Sequence, residues 1–207
     1  MTLAILGASG HGKVIADSAE ASGFRDIVFF DDAWPGIAMN GPWEVVGTTQ
    51  DLLLNLASYA SVVVAIGNNA IRHTKLKALL SADAPVVSIV HPSAIVSPHS
   101  SLGVGSVVFA GAVVNAGADI GAGAIINTNA VIEHDCVLGI SCHISPGGVL
   151  AGGVRLGERV WVGANASVRQ LVSVGDNSVV GMGAVVTRDV AANITVVGNP
   201  ARPIKIT

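Results

Sequence analysis

His134 stands between two acids, Glu133 and Asp135, in a stretch almost free of charge. From Val90 to Val154 the only formally charged side chains are Asp119, Glu133 and Asp135. An imidazole beside a carboxylate is suited to general-base chemistry, because the carboxylate fixes the ring tautomer and raises its basicity towards working pH. A solvated surface histidine with acidic neighbours is the plain alternative. His143 lies further along the same segment and could share a cleft with His134 only around a corner or across a subunit boundary; His73, His91 and His99 have no acid beside them.

A second centre lies near the start of the chain. Gly7-Ala-Ser-Gly-His-Gly12 follows the apolar strand Leu3–Leu6 and precedes a helical pattern from Lys13 to Ala21. Its spacing is GxxGxG and not the dinucleotide fingerprint GxGxxG, yet a glycine turn opening a helix presents free backbone N–H groups to a phosphate. A tight strand-to-helix turn with no ligand is the alternative. Asp31 and Asp32 end a second strand pattern, Ile27–Phe30, as acceptors for a base or ribose or as solvated turn residues. A third strand, Ser61–Ile66, ends in Gly67-Asn-Asn69, and a helix is expected from Ile71 to Leu80. A parallel sheet with helices on its faces gathers these three turns at the carboxyl ends of its strands, where such sheets bind ligands.

The elements that position His134 follow a different rule. From Val90 to Ala191 every sixth residue is aliphatic, from Val90 and Val96 through Ile126, Ile132 and Leu138 to Val186, and the residue four places on is nearly always small. A period of six is neither helical nor that of a flat strand; it belongs to short strands joined by tight corners, stacked into a parallel β-helix. Three hexads close one triangular coil, giving between five and six coils. Glycine recurs at the second position (Gly103, Gly121, Gly139, Gly157, Gly163, Gly175, Gly181), where corners are expected to need positive φ. Cys136 and Cys142 fall in the inward small-residue phase, which makes them core filler and neither nucleophiles nor, with His134 and His143, a zinc site. The expected organisation is a small Rossmann-like domain over residues 1–89, a β-helix over 90–191 and a C-terminal tail over 192–207.

Composition narrows the classes. The 207 residues are 51% hydrophobic, but no run approaches the ~18–20 apolar residues of a membrane span. A net charge of −3 without a basic cluster argues against nucleic acid or an anionic membrane as main partner. The chain starts directly as a strand pattern, so a cytoplasmic location is expected.

The hexad run resembles the left-handed parallel β-helix acyltransferases, and the left hand is implied by that resemblance alone, since general chirality rules favour right-handed crossovers. Taken together, Gly7-Ala-Ser-Gly-His-Gly12, Phe30-Asp-Asp32, Ile66-Gly-Asn-Asn69, Asn127-Thr-Asn-Ala-Val-Ile-Glu-His-Asp135 and Gly198-Asn-Pro-Ala201 resemble the bacterial sugar acyltransferases of the sialic acid O-acetyltransferase group. Within it they look closest to the UDP-4-amino-sugar N-acetyltransferases that make diacetamido sugars for glycans. The resemblance covers essentially the whole chain. It implies that His134 is the general base, that Asp135 orients it, and that Asn127 places the substrate. It implies that Ser9, Gly10, His11, Asp31, Asp32 and Gly67 hold the UDP-sugar, that His143 contacts the acetyl group of acetyl-coenzyme A, and that Gly152 and Ala164 contact the coenzyme through backbone. Asp135 stands where close relatives carry glutamate, one methylene longer. A homotrimer, acetyl-coenzyme A as cosubstrate and no metal are part of the same expectation.

Three other readings fit parts of the sequence: an O-acetyltransferase acting on a sialic acid with the same base and coenzyme, a metal-dependent β-helix hydratase with histidines at a subunit boundary, and a non-catalytic solenoid. The last leaves Glu133-His134-Asp135 without a purpose.

Overall fold

The structure is a computed structural model and describes residues 2–204. The chain divides into two compact units, one up to Pro92 and the other from Ser93 onward.

The first unit is built on a sheet of strands β1 (Thr2–Leu6), β2 (Asp26–Phe30), β3 (Met39–Asn40), β4 (Trp43–Gly47) and β5 (Ser61–Val64), in the order β3-β4-β2-β1-β5. All pairings are parallel except β3 with β4. Helices α1 (Gly10–Ala21), α2 (Thr49–Leu54) and α3 (Asn69–Ser81) connect the strands. β1 and β5 read as continuous apolar runs because both faces are covered: Leu3, Ala4, Ile5, Val62 and Val63 are all fully buried. After β1 the chain winds outward through β2 to β4 and then returns to the other side of β1. That reversal makes a topological switch point at the carboxyl ends of β1 and β5. Helix α1 begins at Gly10, three residues ahead of the expected start, so Gly10, His11 and Gly12 form its first turn. Ser9 caps it without a side-chain hydrogen bond, leaving those first-turn amides to other partners.

The second unit is a left-handed parallel β-helix of two-residue strands arranged in three sheets. Each strand residue pairs with the one eighteen positions on, as in Val113 with Val131 and Val131 with Val149, so like residues stack in columns. Coils are tied in both directions: Val113 N donates to Ala130 O at 2.9 Å, and at the corners Gly117 N donates back to His99 O at 2.9 Å. From Val108 to Val186 every first-position aliphatic is buried, as are the small residues facing them. Each such Val, Ile or Leu contributes about 1.5–3 kcal/mol of burial, which is what holds short strands without long-range turns. The stretch expected as a tail forms instead two strands: Thr195–Val197 extends one sheet in parallel, and Arg202–Ile204 turns back along it.

The glycine expectation needs correcting. The left-handed backbone lies at the fourth hexad position, not the second, at Gly105, Gly111, Gly117, Asn129, Asp135 and so on up the corners. Second-position glycines answer a different demand, close approach of coils: a Cβ on Gly139 would lie 2.6 Å from Gly157 C and Glu158 N in the next coil. Backbone packed that tightly admits no side chain at all.

Candidate active site

His134 and Asp135 occupy the corner between the strands Val131–Ile132 and Val137–Leu138. Asp135 takes φ +60°, a conformation that Asp and Asn tolerate because their short polar side chains bond locally. Its carboxylate does so: His134 Nδ1 lies 2.8 Å from Asp135 Oδ2. The shorter side chain therefore reaches the ring directly. With Nδ1–H donating to the carboxylate, Nε2 is left with its lone pair directed away from the corner. Glu133, the other flanking acid, accepts from Asn115 Nδ2 at 3.0 Å. Only one of the two acids serves the ring.

Nε2 rests against Gly152 of the next coil, where a Cβ would come within 2.5 Å of it. Glycine here is what lets the imidazole lie across the corner. His134, Asp135, Gly152, Gly153, Gln170 and Leu171 line an open cleft of about 280 Å³. His134 keeps 65% of its side-chain surface exposed.

Asn127 and His143 are elsewhere. His143 points outward from the sheet that contains Ile125 and Trp161, which is the face across the prism from the His134 corner. Asn127 Nδ2 lies 3.1 Å from His143 Nε2, and the Trp161 ring stacks on His143 at 6.4 Å between centroids. Trp161 Nε1–H donates to Ser145 Oγ at 2.8 Å. Ala164 sits at the corner that follows this sheet, so it shares a side of the prism with Asn127 and His143, whereas Gly152 lies with His134. The residues expected around one reaction thus form two groups on different sides of one solenoid.

Cys136 and Cys142 are fully buried and point at backbone carbonyls, Ala151 O at 3.3 Å and Gly157 O at 3.0 Å. Burial pushes the Cys136 thiol up, away from the thiolate a nucleophile needs. Among the described residues no three His, Cys, Asp or Glu side chains converge.

In the first unit a cleft of about 250 Å³ opens at the switch point, lined by residues that include Ser9, Asp31, Asp32, Gly67, Thr49 and Lys75. Gly10 and His11 do not line it. His11 is half-buried, and desolvation, with the nearby Arg72 guanidinium adding to it, lowers its pKa to about 4; it is a neutral side chain at physiological pH. Asp31 is engaged by the fold, accepting from Ala8 N at 2.7 Å and Ala33 N at 2.9 Å. Asp32 accepts from Thr49 N at 2.9 Å and pairs with Lys75 Nζ at 2.7 Å. These hydrogen bonds, led by that from Lys75, lower its pKa to about 2. Lys75 and Thr49 escaped the sequence reading because nothing local links them to Asp32. Gly12 is required by packing, since its Cβ would meet Gly7 O at 2.4 Å, whereas Gly10 and Gly67 face open space. Gly67, which lines the strand-end cleft and which the fold itself does not demand as glycine, is a place where a ligand can approach backbone.

An α/β unit with an open strand-end cleft, ahead of a hexapeptide prism that holds a carboxylate-anchored imidazole at a coil corner, defines a hexapeptide-type acyltransferase. Comparison with known proteins agrees. Residues 2–79 match the PglD N-terminal domain, and residues 129–170 and 153–188 match the hexapeptide repeat of succinyl-transferase. The acetyltransferase domain of PglB from Neisseria gonorrhoeae is 42% identical over 98% of this chain and 99% of its own, with a TM-score of 0.93. A histidine variant of perosamine N-acetyltransferase from Caulobacter crescentus, solved with CoA and GDP-perosamine, is 38% identical over 100% of this chain and 98% of its own, with a TM-score of 0.94. Among curated relatives, galactoside O-acetyltransferase of Escherichia coli is 38% identical over 52 residues, and that match spans about a quarter of its length (26%). The chain belongs to the sugar acyltransferase family in which a PglD-type domain precedes a hexapeptide β-helix.

Proposed function

We propose that this chain transfers acetyl from acetyl-coenzyme A to the 4-amino group of a nucleotide-linked amino-dideoxy sugar, with UDP as the nucleotide, and that it works in the cytoplasm as a homotrimer. The observation that carries the reading is the Asp135–His134 pair at 2.8 Å with Nε2 set against the bare α-carbon of Gly152. Nε2 takes a proton from the sugar amine as its nitrogen attacks the thioester carbonyl; the tetrahedral intermediate collapses with departure of the coenzyme thiolate. Asp135 balances the imidazolium that forms. In this reading a backbone N–H near Gly152 stabilises the oxyanion. No enzyme nucleophile takes part. The neighbour solved as the PglB domain has a form in complex with acetyl coenzyme A, and the perosamine enzyme carries an amino sugar on GDP. The first supports acetyl-coenzyme A as the donor and the second an amino-sugar acceptor, with uridine and guanosine as the two nucleotides to separate.

The split of the candidate residues supports the trimer. A corner bearing His134, Asp135 and Gly152 and a face bearing Asn127, His143 and Ala164 can meet only if prisms stand side by side. The outward aliphatic column Ile95, Val113, Val131 and Val149 offers such a contact, and Ile95 is 67% exposed in the single chain. Sedimentation equilibrium at micromolar concentration should give three times the chain's 20.8 kDa; the mass of a monomer would remove the composite site.

The direct test is mass spectrometry of products after incubation with acetyl-coenzyme A and a panel of UDP- and GDP-linked 4-amino sugars beside sialic acids. An N-acetylated UDP-sugar is expected. Acetylation of a hydroxyl on sialic acid alone would transfer the reading to the O-acetyltransferases, and product from the GDP-sugar alone would correct the nucleotide.

A further inference from the structure

Among the described residues, the solenoid corners that enter the left-handed region without glycine hold Asn129, Asp135, Ser141, Arg159, Asn165, Leu171, Asn177 and Asn193. Seven are polar, and most are of the types that tolerate it. Leu171, at φ +61°, is the aliphatic exception. It is also 78% exposed. A leucine gains nothing from either circumstance: the backbone region disfavours its Cβ, and water disfavours its side chain. Costly conformations persist mostly where they serve a ligand or a contact.

Its position supplies the use. Leu171 leans across Gly153, where a Cβ would lie 2.7 Å from Leu171 Cδ2. Leu171 N donates to Gly152 O at 3.0 Å, tying it to the residue on which His134 Nε2 rests. It therefore forms one wall of the His134 cleft, beside the point where the acyl carbon must sit for an amine deprotonated by Nε2 to reach it. The other walls are an imidazole, a carboxylate, backbone and the amide of Gln170. Leu171 is the apolar one.

We propose that Leu171 is the apolar wall of the acyl pocket and that it sets a preference for the shortest acyl thioester. The inference rests on the acyl-transfer reading of this cleft. A methyl group packs against the leucine, whereas each further methylene is driven into it or out into water, and in apolar pockets such differences are worth roughly 10-fold or more.

The experiment is calorimetric titration of the full chain with acetyl-, propionyl- and butyryl-coenzyme A, for wild type, Leu171→Asn and Leu171→Gly, together with thermal melting and sedimentation of each. Wild type is expected to bind acetyl-coenzyme A about 10-fold more tightly than the butyryl form. In both variants the ratio should fall towards one while the melting temperature rises by about 2–4 °C as the backbone penalty is relieved. A higher melting temperature with an unchanged ratio overturns the proposal and leaves the acyl-transfer reading standing. A drop in oligomer mass in the variants assigns Leu171 to a subunit contact, which also overturns it. Failure of wild type to bind any of the three thioesters overturns both.

Discussion

His134→Ala is expected to lower turnover by ~10²–10⁴-fold, the range for a positioned general base, while the β-helix and the affinity for acetyl-coenzyme A stay as they were. The side chain is outward and 65% exposed, so its removal opens no cavity. The coil-to-coil bond from Gly153 N to His134 O, 2.9 Å, uses backbone and survives. Asp135→Asn should cost less, because the imidazole remains and only its orientation and the compensating charge are lost. Rates of product formation across pH, for wild type and His134→Ala beside His143→Ala, decide the assignment. If His134→Ala turned over normally and His143→Ala did not, the base would be the histidine that stacks on Trp161. The pair at 134 and 135 would then be a surface hydrogen bond.

Gly139→Ala should destabilise the solenoid by about 3 kcal/mol or more, far beyond what the loss of glycine flexibility suggests. Its φ is ordinary, so an alanine is allowed by the backbone and reduces the entropy of the unfolded chain. The obstacle is space: the added methyl would lie 2.6 Å from backbone atoms of Gly157 and Glu158, and neither coil can yield without breaking its own ladder. Gly183→Ala is the control. Gly183 has φ +66° with nothing within 4 Å of its Cβ, so the penalty there is conformational, about 1–2 kcal/mol. Comparing the unfolding midpoints of the two variants separates close approach from torsion. Equal shifts would mean that the coils can part at little cost.

The two glycine classes mark where sequence reading ended. The six-residue period was legible because each hexad repeats one local geometry: the phase of a residue states whether its side chain faces the core, and Val, Ile and Leu at one phase with Ala, Ser and Cys at another leave no other solution. His134 stood out for the same reason, as a charge-flanked ring at an outward phase. Strand and helix patterns in the first unit are local too, which is why the turns holding Ser9, Gly10, His11, Asp31, Asp32 and Gly67 group together from sequence alone. Contacts between residues distant along the chain had no local signature. Lys75 meets Asp32 only because α3 follows β5 on the far side of β1. His11 belongs to the first turn of α1 and not to the ligand-facing loop, since the helix begins at Gly10. His134 and His143 are near in sequence but lie across the prism, because three strands must turn three corners to complete a coil. Phase along the chain determined which way each residue points. Only stacking at eighteen residues, and the order in which strands join a sheet, decided what it meets.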